Sequence, residues 1–275
     1  MENFNNKNAL ITGAGNGIGL AIAKKLASHG MNIIGVDLNE QNLNKLKTIL
    51  SPFNINVSTY LCDVADEEIF KDFSEDCLSK FKNIHILCNN AGVAPLGRIW
   101  EHSSEEIKWA ADININGVLN GIRYFVPSMI KNHEKSRIIN TASVAGLHSY
   151  ANMGLYCMTK YSVVAITESL FYDLNEVCDH VKVSLLCPAF VSTNIHNSSD
   201  SFTGKLIRDD IENYEKIKSN IRDATKHGKL TSEDIANHVF DAIENDKFYI
   251  LTHKKITSAI KARTDNIINT VNPNN

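Results

Sequence analysis

The feature that most constrains the fold of this chain is the regular alternation of short apolar runs with longer helix-type patterns over most of its length. Alternation of this kind builds βαβ units, in which each crossover helix packs on one face of a parallel sheet. Runs that are apolar on both faces are typical of parallel strands buried between two helix layers. The predicted strands cover residues 8–12, 32–36, 57–61, 84–88, 137–141, 181–186 and 248–251.

These runs predict an α/β fold, a single-domain Rossmann-type doubly wound parallel sheet of about seven strands with helices on both faces. No linker-like stretch divides residues 1–275, so one catalytic domain is expected. A helix should begin after Thr231, because a hydroxyl followed by acids in the first turn suits helix capping. Residues 194–228 interrupt the alternation and are expected to form a substrate lid, or a surface segment with a helix and no role.

Composition narrows the class of protein. A hydrophobic fraction of 43% is ample for a full core, and a net charge of −3 gives no basic field for nucleic-acid backbones. The polar N-terminus shows neither a signal peptide nor a membrane anchor, so we expect a cytoplasmic protein. The six cysteines have no metal-ligand spacing with the histidines, which indicates reduced structural thiols and no metal site.

A glycine-rich turn follows the first strand directly, with the sequence Thr12-Gly13-Ala14-Gly15-Asn16-Gly17-Ile18-Gly19. Glycines allow a tight turn and bring backbone N–H groups close to a pyrophosphate, and the positive end of the next helix favours that negative charge. Glycine spacings also recur by accident, so a turn without a ligand is the alternative interpretation.

An acid at the end of the second strand indicates which dinucleotide would bind. Asp37 is placed where a carboxylate can accept hydrogen bonds from the adenosine ribose hydroxyls, and it would repel a 2′-phosphate. Asn16 and Leu38 supply no positive charge nearby, so NAD is favoured over NADP. Taken alone, Asp37 is equally an ordinary turn acid.

Two further loops should meet at the same edge of the sheet. Asp63-Val64 follows the third strand, and Asn89-Asn90-Ala91-Gly92 follows the fourth. Open α/β sheets bind ligands in the crevice outside the carboxyl ends of their strands. The sequence therefore predicts one cofactor crevice built from several loops.

The candidate catalytic pair is Tyr156 and Lys160, which lie four residues apart in a helical pattern and so share one helix face. Ser143 lies just past the fifth strand, at the same carboxyl edge. A tyrosine and a base at this spacing occur readily by chance, so the pair gains weight only from its neighbours. Cys157 points to another helix face and is expected to pack.

With these residues in place, the chain resembles the short-chain dehydrogenase/reductase family over nearly its whole length. The elements that carry the resemblance occur in the family's order and are Thr12-Gly13-x-x-x-Gly17-Ile18-Gly19, Asn89-Asn90-Ala91-Gly92, Asn114-Ile115-Asn116-Gly117, Ser143 with Tyr156-x-x-x-Lys160, and Pro188-x-x-x-x-Thr193. Ala189 departs from the family's usual glycine and should be tolerated if its φ is negative.

The resemblance implies a role for each matching residue. Tyr156 is the expected general acid and base, Lys160 lowers its pKa and binds the nicotinamide ribose, Ser143 orients the substrate oxygen, and Asn114 holds a water that links Lys160 to solvent. The residues expected to bind the cofactor are Gly13, Asn16, Gly17, Ile18, Gly19, Asp37, Asp63, Val64, Asn90, Ala91, Gly92, Tyr156, Lys160, Pro188, Val191 and Thr193.

The predicted function is an NAD-preferring oxidoreductase that moves a hydride between nicotinamide and a secondary alcohol or ketone. The resemblance also implies a homodimer or homotetramer, formed through the helices that bear Asn114 and Tyr156. A catalytically silent NAD-binding sensor is the alternative. Sugar-nucleotide epimerisation is disfavoured because it implies a larger C-terminal domain, and enoyl reduction because it implies a wider spacing of Tyr and Lys.

The variable segments suggest a hydrophobic or cyclic substrate, because apolar side chains dominate them. These side chains are Leu96, Ile99, Trp100, Leu147, Tyr150, Met153, Phe190 and Phe202, and they could equally serve to pack the lid. His102 and His148 lie near the expected substrate mouth, where a lone loop histidine is usually solvated.

Overall fold

The sheet of this protein is parallel throughout, with the strand order β3-β2-β1-β4-β5-β6-β7. The computed structural model describes residues 4–193, 195, 198, 201–204, 211–226 and 228–273. The strands are β1 Asn8–Thr12, β2 Asn32–Asp37, β3 Val57–Leu61, β4 Ile86–Asn89, β5 Ser136–Thr141, β6 Val181–Cys187 and β7 Tyr249–Leu251. This arrangement confirms the predicted doubly wound α/β sheet.

The helices cover both faces of the sheet. They are α1 Gly17–Ala27, α2 Glu40–Leu50, α3 Glu67–Lys80, α4 Ser104–Ala111, α5 Gly117–Lys131, α6 Gly154–Val177, α7 Ile211–Lys226, α8 Ser232–Glu244 and α9 Ile256–Ile268. One apolar layer joins α1 and α8 to the sheet, and the layer on the other face joins α3, α5 and α6 to it. Burial on both faces explains why the strands are apolar throughout.

The strand order places a crevice at the centre of the carboxyl edge. β1 pairs with β2 on one side and with β4 on the other, so the chain reverses its direction of progress across the sheet at this point. The loops that leave β1 and β4 therefore diverge to opposite faces and open a gap between them. The predicted cofactor residues surround this gap.

Two local predictions can be checked directly. Thr231 caps α8 with a capping box, in which its hydroxyl accepts from the Asp234 N–H and the Asp234 carboxylate accepts from the Thr231 N–H. Ala189 is absent from the non-glycine residues of positive φ in the described ranges, which confirms that alanine fits this turn. The predicted lid is only partly described, through α7 and a few residues before it, and its closure stays a prediction.

A small polar network lies at the amino edge of the sheet. Its centre is Glu134, in the connection from α5 to β5. Its carboxylate accepts a hydrogen bond from Lys7 Nζ at 2.5 Å and lies 3.0 Å from His85 Nε2, and the Asn83 side-chain amide also donates to it. His85 Nδ1 accepts from the Asn8 N–H, so Nε2 is the nitrogen that donates to Glu134. The hydrogen bonds from Lys7 and His85 lower the pKa of Glu134 to about 2.

Candidate active site

The glycine turn of the crevice begins with an unusual backbone. Gly13 and Gly17 have φ values of +63° and +52°, which residues other than glycine rarely adopt. Asn16 caps α1 by accepting the Gly17 N–H at 2.8 Å. A Cβ atom at Gly17 would lie 3.4 Å from the Thr193 methyl carbon, so the turn and Thr193 approach each other closely at this point. The N–H groups at the N-terminus of α1 are suited to binding a pyrophosphate.

Gly19, predicted among the cofactor residues, lies where α1 packs against the glycine turn. A Cβ atom there would lie 2.2 Å from the Gly13 carbonyl oxygen, so this glycine allows α1 to pack against the turn. Gly19 is not among the described residues that line the crevice. The close packing at Gly19 shapes the turn, and its contact with the cofactor stays a prediction.

Asp37 at the end of β2 supports the turn as well as facing the crevice. Its carboxylate accepts the Gly15 N–H at 3.0 Å on one oxygen and the Asn39 N–H at 3.0 Å on the other. The Asn42 side-chain amide also donates to the oxygen that accepts from Asn39, at 3.4 Å. A carboxylate oxygen has two lone pairs, so the oxygen that accepts from Gly15 retains capacity for a ribose hydroxyl. The exposed Leu38 follows it and brings no charge.

Thr12 stands in the glycine-rich motif but is not among the predicted cofactor residues, and it fixes the loop after β4. Its hydroxyl accepts the N–H groups of Asn90 and Ala91 at 2.9 and 3.0 Å, and the Asn90 side-chain amide donates to the Thr12 carbonyl at 3.1 Å. These bonds hold the two sides of the crevice at a fixed width. A hydroxyl at the last position of β1, facing the end of β4, is the signal that could have revealed it.

The crevice has a volume of about 520 Å³, within the range of small-molecule sites. Most of the predicted cofactor residues line it, namely Gly13, Asn16, Gly17, Ile18, Asp37, Asp63, Val64, Asn90, Ala91, Gly92, Tyr156, Lys160, Pro188 and Thr193. Val191 does not, because it forms a bridge with Leu230 and its side chain packs in the core and against a second cavity. Lys160 is the one cation among the described residues that line the crevice.

Tyr156 and Ser143 meet at the boundary between the crevice and that second cavity. Tyr156, in the first turn of α6, lines both cavities, and Ser143 lines the second one. The sequence predicts a lowered pKa for Tyr156. Instead, burial raises its pKa to about 12, and a hydrogen bond with Ser143 acts in the opposite direction without compensating. Burial in surroundings of low polarity thus dominates the pKa of this phenol.

Lys160 lies one helical turn after Tyr156 and is buried with it. Its Nζ donates to the Thr141 carbonyl oxygen at 2.9 Å and lies 5.8 Å from the centre of the Tyr156 ring. Burial lowers the pKa of Lys160 to about 8, so the ammonium still predominates at neutral pH. The hydrogen bond of the amine goes to Thr141, and the Tyr156 ring lies beside it.

Asn114 lies in a π-helical turn, Asp112–Asn116, that joins α4 to α5. Its Nδ2 donates to the Val93 carbonyl at 2.8 Å and to Thr159 Oγ1 at 2.9 Å, and its Oδ1 accepts the Val93 N–H at 2.8 Å. Both N–H groups are engaged, so only an oxygen of this residue is available to a water. The side chain anchors the π turn, a feature frequent at functional sites, to the loop after β4.

The second cavity, of about 90 Å³, is lined mainly by apolar side chains. Four residues of the predicted apolar set line it, which are Leu96, Tyr150, Met153 and Phe190, and α7 adds Ile221 and Thr225. No charged side chain is among the described lining residues. Of the remaining predicted residues, Trp100 and Ile99 are exposed. Cys157 packs in the adjacent apolar cluster, as expected, and burial raises its pKa.

The expectation that His102 is solvated is wrong. Its side chain is 0% exposed, and its Nδ1 lies 2.8 Å from a Glu106 oxygen that is equally buried. The i,i+4 spacing across the start of α4 brings His102 and Glu106 together. The prediction placed His102 in a loop and so did not pair it with Glu106. His148 is partly buried beside Tyr150, with its ring centre 5.0 Å from that of the tyrosine.

Comparison with known proteins decides the family. The model of the short chain dehydrogenase family matches residues 7–203. The chain belongs to this family. A CLA biosynthesis dehydrogenase/reductase of Lactiplantibacillus plantarum is 31% identical over 274 residues, covering 98% of this chain and 95% of that relative. A diacetyl reductase of Staphylococcus epidermidis is 31% identical over 255 residues, covering 91% and 96%.

A solved short-chain dehydrogenase/reductase from Burkholderia phymatum has the same fold over the whole chain. It is 36% identical, with a TM-score of 0.94, and covers 100% of this chain and 99% of that one. That structure is a complex with NAD. The predicted short-chain dehydrogenase fold is confirmed, and the predicted NAD cofactor agrees with this relative. Within the described residues, no helix is long and apolar enough to cross a bilayer.

Proposed function

We propose that this short-chain dehydrogenase oxidises a secondary alcohol, or reduces the corresponding ketone, with NAD as cofactor and Tyr156 as general acid and base. The observation that carries the proposal is the position of Tyr156, which lines both the cofactor crevice and the apolar cavity. A proton donor at that boundary can reach a substrate oxygen while the carbon beside it faces the crevice.

The preference for NAD over NADP is argued from charge. Asp37, Asp63 and Asp112 line the crevice, whereas Lys160, deep at the catalytic end, is the one described lining residue with a positive charge. A 2′-phosphate near Asp37 would therefore meet repulsion with no cation to offset it. The ribose hydroxyls of NAD would instead donate to the Asp37 carboxylate.

The roles of the catalytic residues follow from their positions. Ser143 can hold the substrate oxygen next to the Tyr156 hydroxyl, which takes the alcohol proton during oxidation and returns it during reduction. Lys160 favours the phenolate by its charge, and Asn114 keeps the loop at Val93 and the π turn in register behind it. When bound, the nicotinamide ring accepts or supplies the hydride.

The substrate proposed is a compact, uncharged, hydrophobic or cyclic alcohol or ketone. The cavity beside Tyr156 is apolar and has a volume of about 90 Å³, smaller than the roughly 150 Å³ that accommodates benzene in an engineered protein cavity. Larger substrates would need α7, with Ile221 and Thr225, to move. The diacetyl reductase similar to this chain carries a small diketone in its name.

The test begins with calorimetric binding of NADH and NADPH, followed by turnover of small, cyclic and long-chain ketones measured by loss of NADH absorbance. We expect NADH to bind at least about tenfold more tightly than NADPH, the difference produced by one lost charge interaction.

Tyr156→Phe should keep NADH binding and lose at least about a hundredfold in kcat. Cys157→Ser, at a neighbouring position of α6 that faces away, is the control. Unchanged turnover in Tyr156→Phe would refute the proposed mechanism. NADH binding without turnover of any ketone would favour a silent NAD-binding sensor.

A further inference from the structure

A polar groove, separate from the cofactor crevice and from the apolar cavity, runs along the outer side of α1. It has a volume of about 730 Å³ and is lined by side chains from α1, the end of α2, the loop after β6, the last turns of α7 and the first turn of α8. Its charged lining residues are Lys24, Arg222, Lys226 and Glu233. Three cations and one acid give the groove a net positive character.

Arg222 and Lys226 lie one turn apart on α7, and both face this groove. The neighbouring positions Ile221 and Thr225 face the apolar cavity beside Tyr156. One helix thus separates the two spaces, with an apolar stripe on one side and a basic stripe on the other. Arg222 is partly buried, yet within the described ranges neither it nor Lys226 has an ion-pair or hydrogen-bond partner.

A partly buried guanidinium without a counter-charge is costly unless an anion can reach it. The groove opens onto the crevice at Asn16, Gly17 and Thr193, which line both spaces. These are the residues of the glycine turn and of the loop that faces it, where the proposed pyrophosphate lies. The groove and the apolar cavity, by contrast, share only Thr193 among their described lining residues.

We infer that Arg222 and Lys226 bind the pyrophosphate of the dinucleotide from the side opposite the glycine turn, so that α7 contributes to the cofactor site as well as to the substrate cavity. The inference rests on the proposed function. Arg can bind a phosphate through two N–H groups, and Lys adds a point charge beside it. A substrate carboxylate is the other possible anion, and it would have to pass from the apolar cavity around α7 to reach the same side chains.

Lys24 contributes less positive charge to this groove than Arg222 and Lys226 do, because an acid lies near it. Its Nζ lies 4.0 Å from a Glu233 carboxylate oxygen, at the outer end of the groove, and both side chains are more than half exposed. Glu233 therefore offsets part of the positive charge there. Glu233→Gln should make the groove more favourable to an anion, the opposite direction from removal of Arg222 or Lys226.

The experiment compares the whole protein with Arg222→Gln/Lys226→Gln by calorimetry, with NADH, ADP and adenosine as ligands and at low and high salt. Lys216→Gln/Lys229→Gln, which removes two exposed cations outside the groove, is the control with the same change in net charge. We expect the groove variant to bind NADH and ADP about tenfold more weakly at low salt, with a smaller difference at high salt. Adenosine, which has no phosphate, should bind equally to all forms, and this also reports an intact fold.

Four further results bear on this inference. Glu233→Gln should bind ADP about twofold more tightly. Equal binding of NADH and ADP by the wild type and the groove variant would overturn the inference, while the NAD-dependent function would stand. A rise in the KM of the groove variant for a substrate acid, with NADH binding unchanged, would also overturn the inference, because the cations would then bind the substrate. Failure of the wild type to bind NADH would remove the proposed function and this inference with it.

Discussion

At the scale of single residues, the proposed catalytic pair is held in a state that costs stability. Tyr156 and Lys160 are both buried, and burial opposes the charged form of each. Few carbonyls compensate the ammonium, and Thr141 is the acceptor observed. Such a cost agrees with the proposed role of the pair, because functional sites usually exchange stability for activity.

Lys160→Met should therefore abolish turnover and raise the stability of the fold. The folded pKa, about 8, lies below the ordinary value of 10.5, so between these pH values the unfolded state binds more protons and wild-type stability rises with pH. The penalty is fully present below pH 8. At neutral pH the variant could gain up to about 3 kcal/mol in free energy of unfolding, or several degrees in Tm.

Thermal unfolding of both proteins from neutral to alkaline pH measures this effect. The Tm difference should shrink as the pH rises from 8 toward 10.5, because the wild type is progressively relieved of its buried charge. Lys131→Met, at an exposed position of α5, provides the control and should change Tm little. A Lys160→Met protein that melts lower than the wild type at every pH would contradict the prediction.

At the scale of elements, the strands could be predicted because each is a short apolar run between a turn and an amphipathic helix. Predicted and observed strands differ only at their ends, as for β4, predicted to begin at residue 84 and observed from Ile86. The cap of α8 could also be predicted, since hydroxyl and acid stand at fixed spacing. Local chemistry settles these features, so the sequence suffices for them.

Other elements depend on contacts between distant residues and could not be predicted in this way. The π turn is fixed by Asn114, whose partners Val93 and Thr159 are 21 and 45 residues away. Thr12 reaches Asn90 across 78 residues. The raised pKa of Tyr156 has the same origin, because burial is a property of the assembled site. A family resemblance places such residues without showing what they contact.

The Glu134 network joins β1, β4 and the α5–β5 connection at the amino edge, and its charge should matter to stability. Glu134→Gln should lower the free energy of unfolding by about 1 kcal/mol at neutral pH, a modest effect because the carboxylate is 37% exposed. The pKa of Glu134 is lowered to about 2, so its contribution is present above the ordinary value of 4.5 and is lost as pH falls toward 2.

Denaturant unfolding at neutral and acidic pH tests this network. The difference between wild type and Glu134→Gln should narrow steadily below pH 4.5. Glu75→Gln, on the exposed side of α3, should have little effect at any pH. A difference that stays constant down to pH 2 would show that the substitution acts through packing and not through the charge of Glu134.

At the scale of the whole molecule, the resemblance to short-chain dehydrogenases predicts a homodimer or homotetramer. The helices concerned expose apolar side chains, which include Ile107 on α4, Leu119 on α5 and Met158 on α6. Exposed apolar side chains on neighbouring helices are suited to a symmetric interface. The assembly itself remains a prediction.

Light scattering should give a multiple of the 30.6 kDa chain mass for the wild type. Leu119→Glu should shift the mass toward the monomer, because a charge buried at a helix interface is unfavourable. Ile69→Glu on α3, where the side chain is similarly exposed at 47%, should leave the mass unchanged. A monomeric wild type would end this prediction.

The division of the crevice among the strands has a consequence for how this protein can diversify. The side chains expected to recognise the adenosine half follow β1, β2 and β3, whereas most of those that line the apolar cavity proposed for the substrate follow β4, β5 and β6 or belong to α7. Each set comes from a separate stretch of sequence. Preference between nucleotides and preference between alcohols can therefore be altered independently, by substitutions in one stretch that leave the other intact. The exception is α7, because Arg222 and Lys226 would make this one helix contribute to the binding of both ligands.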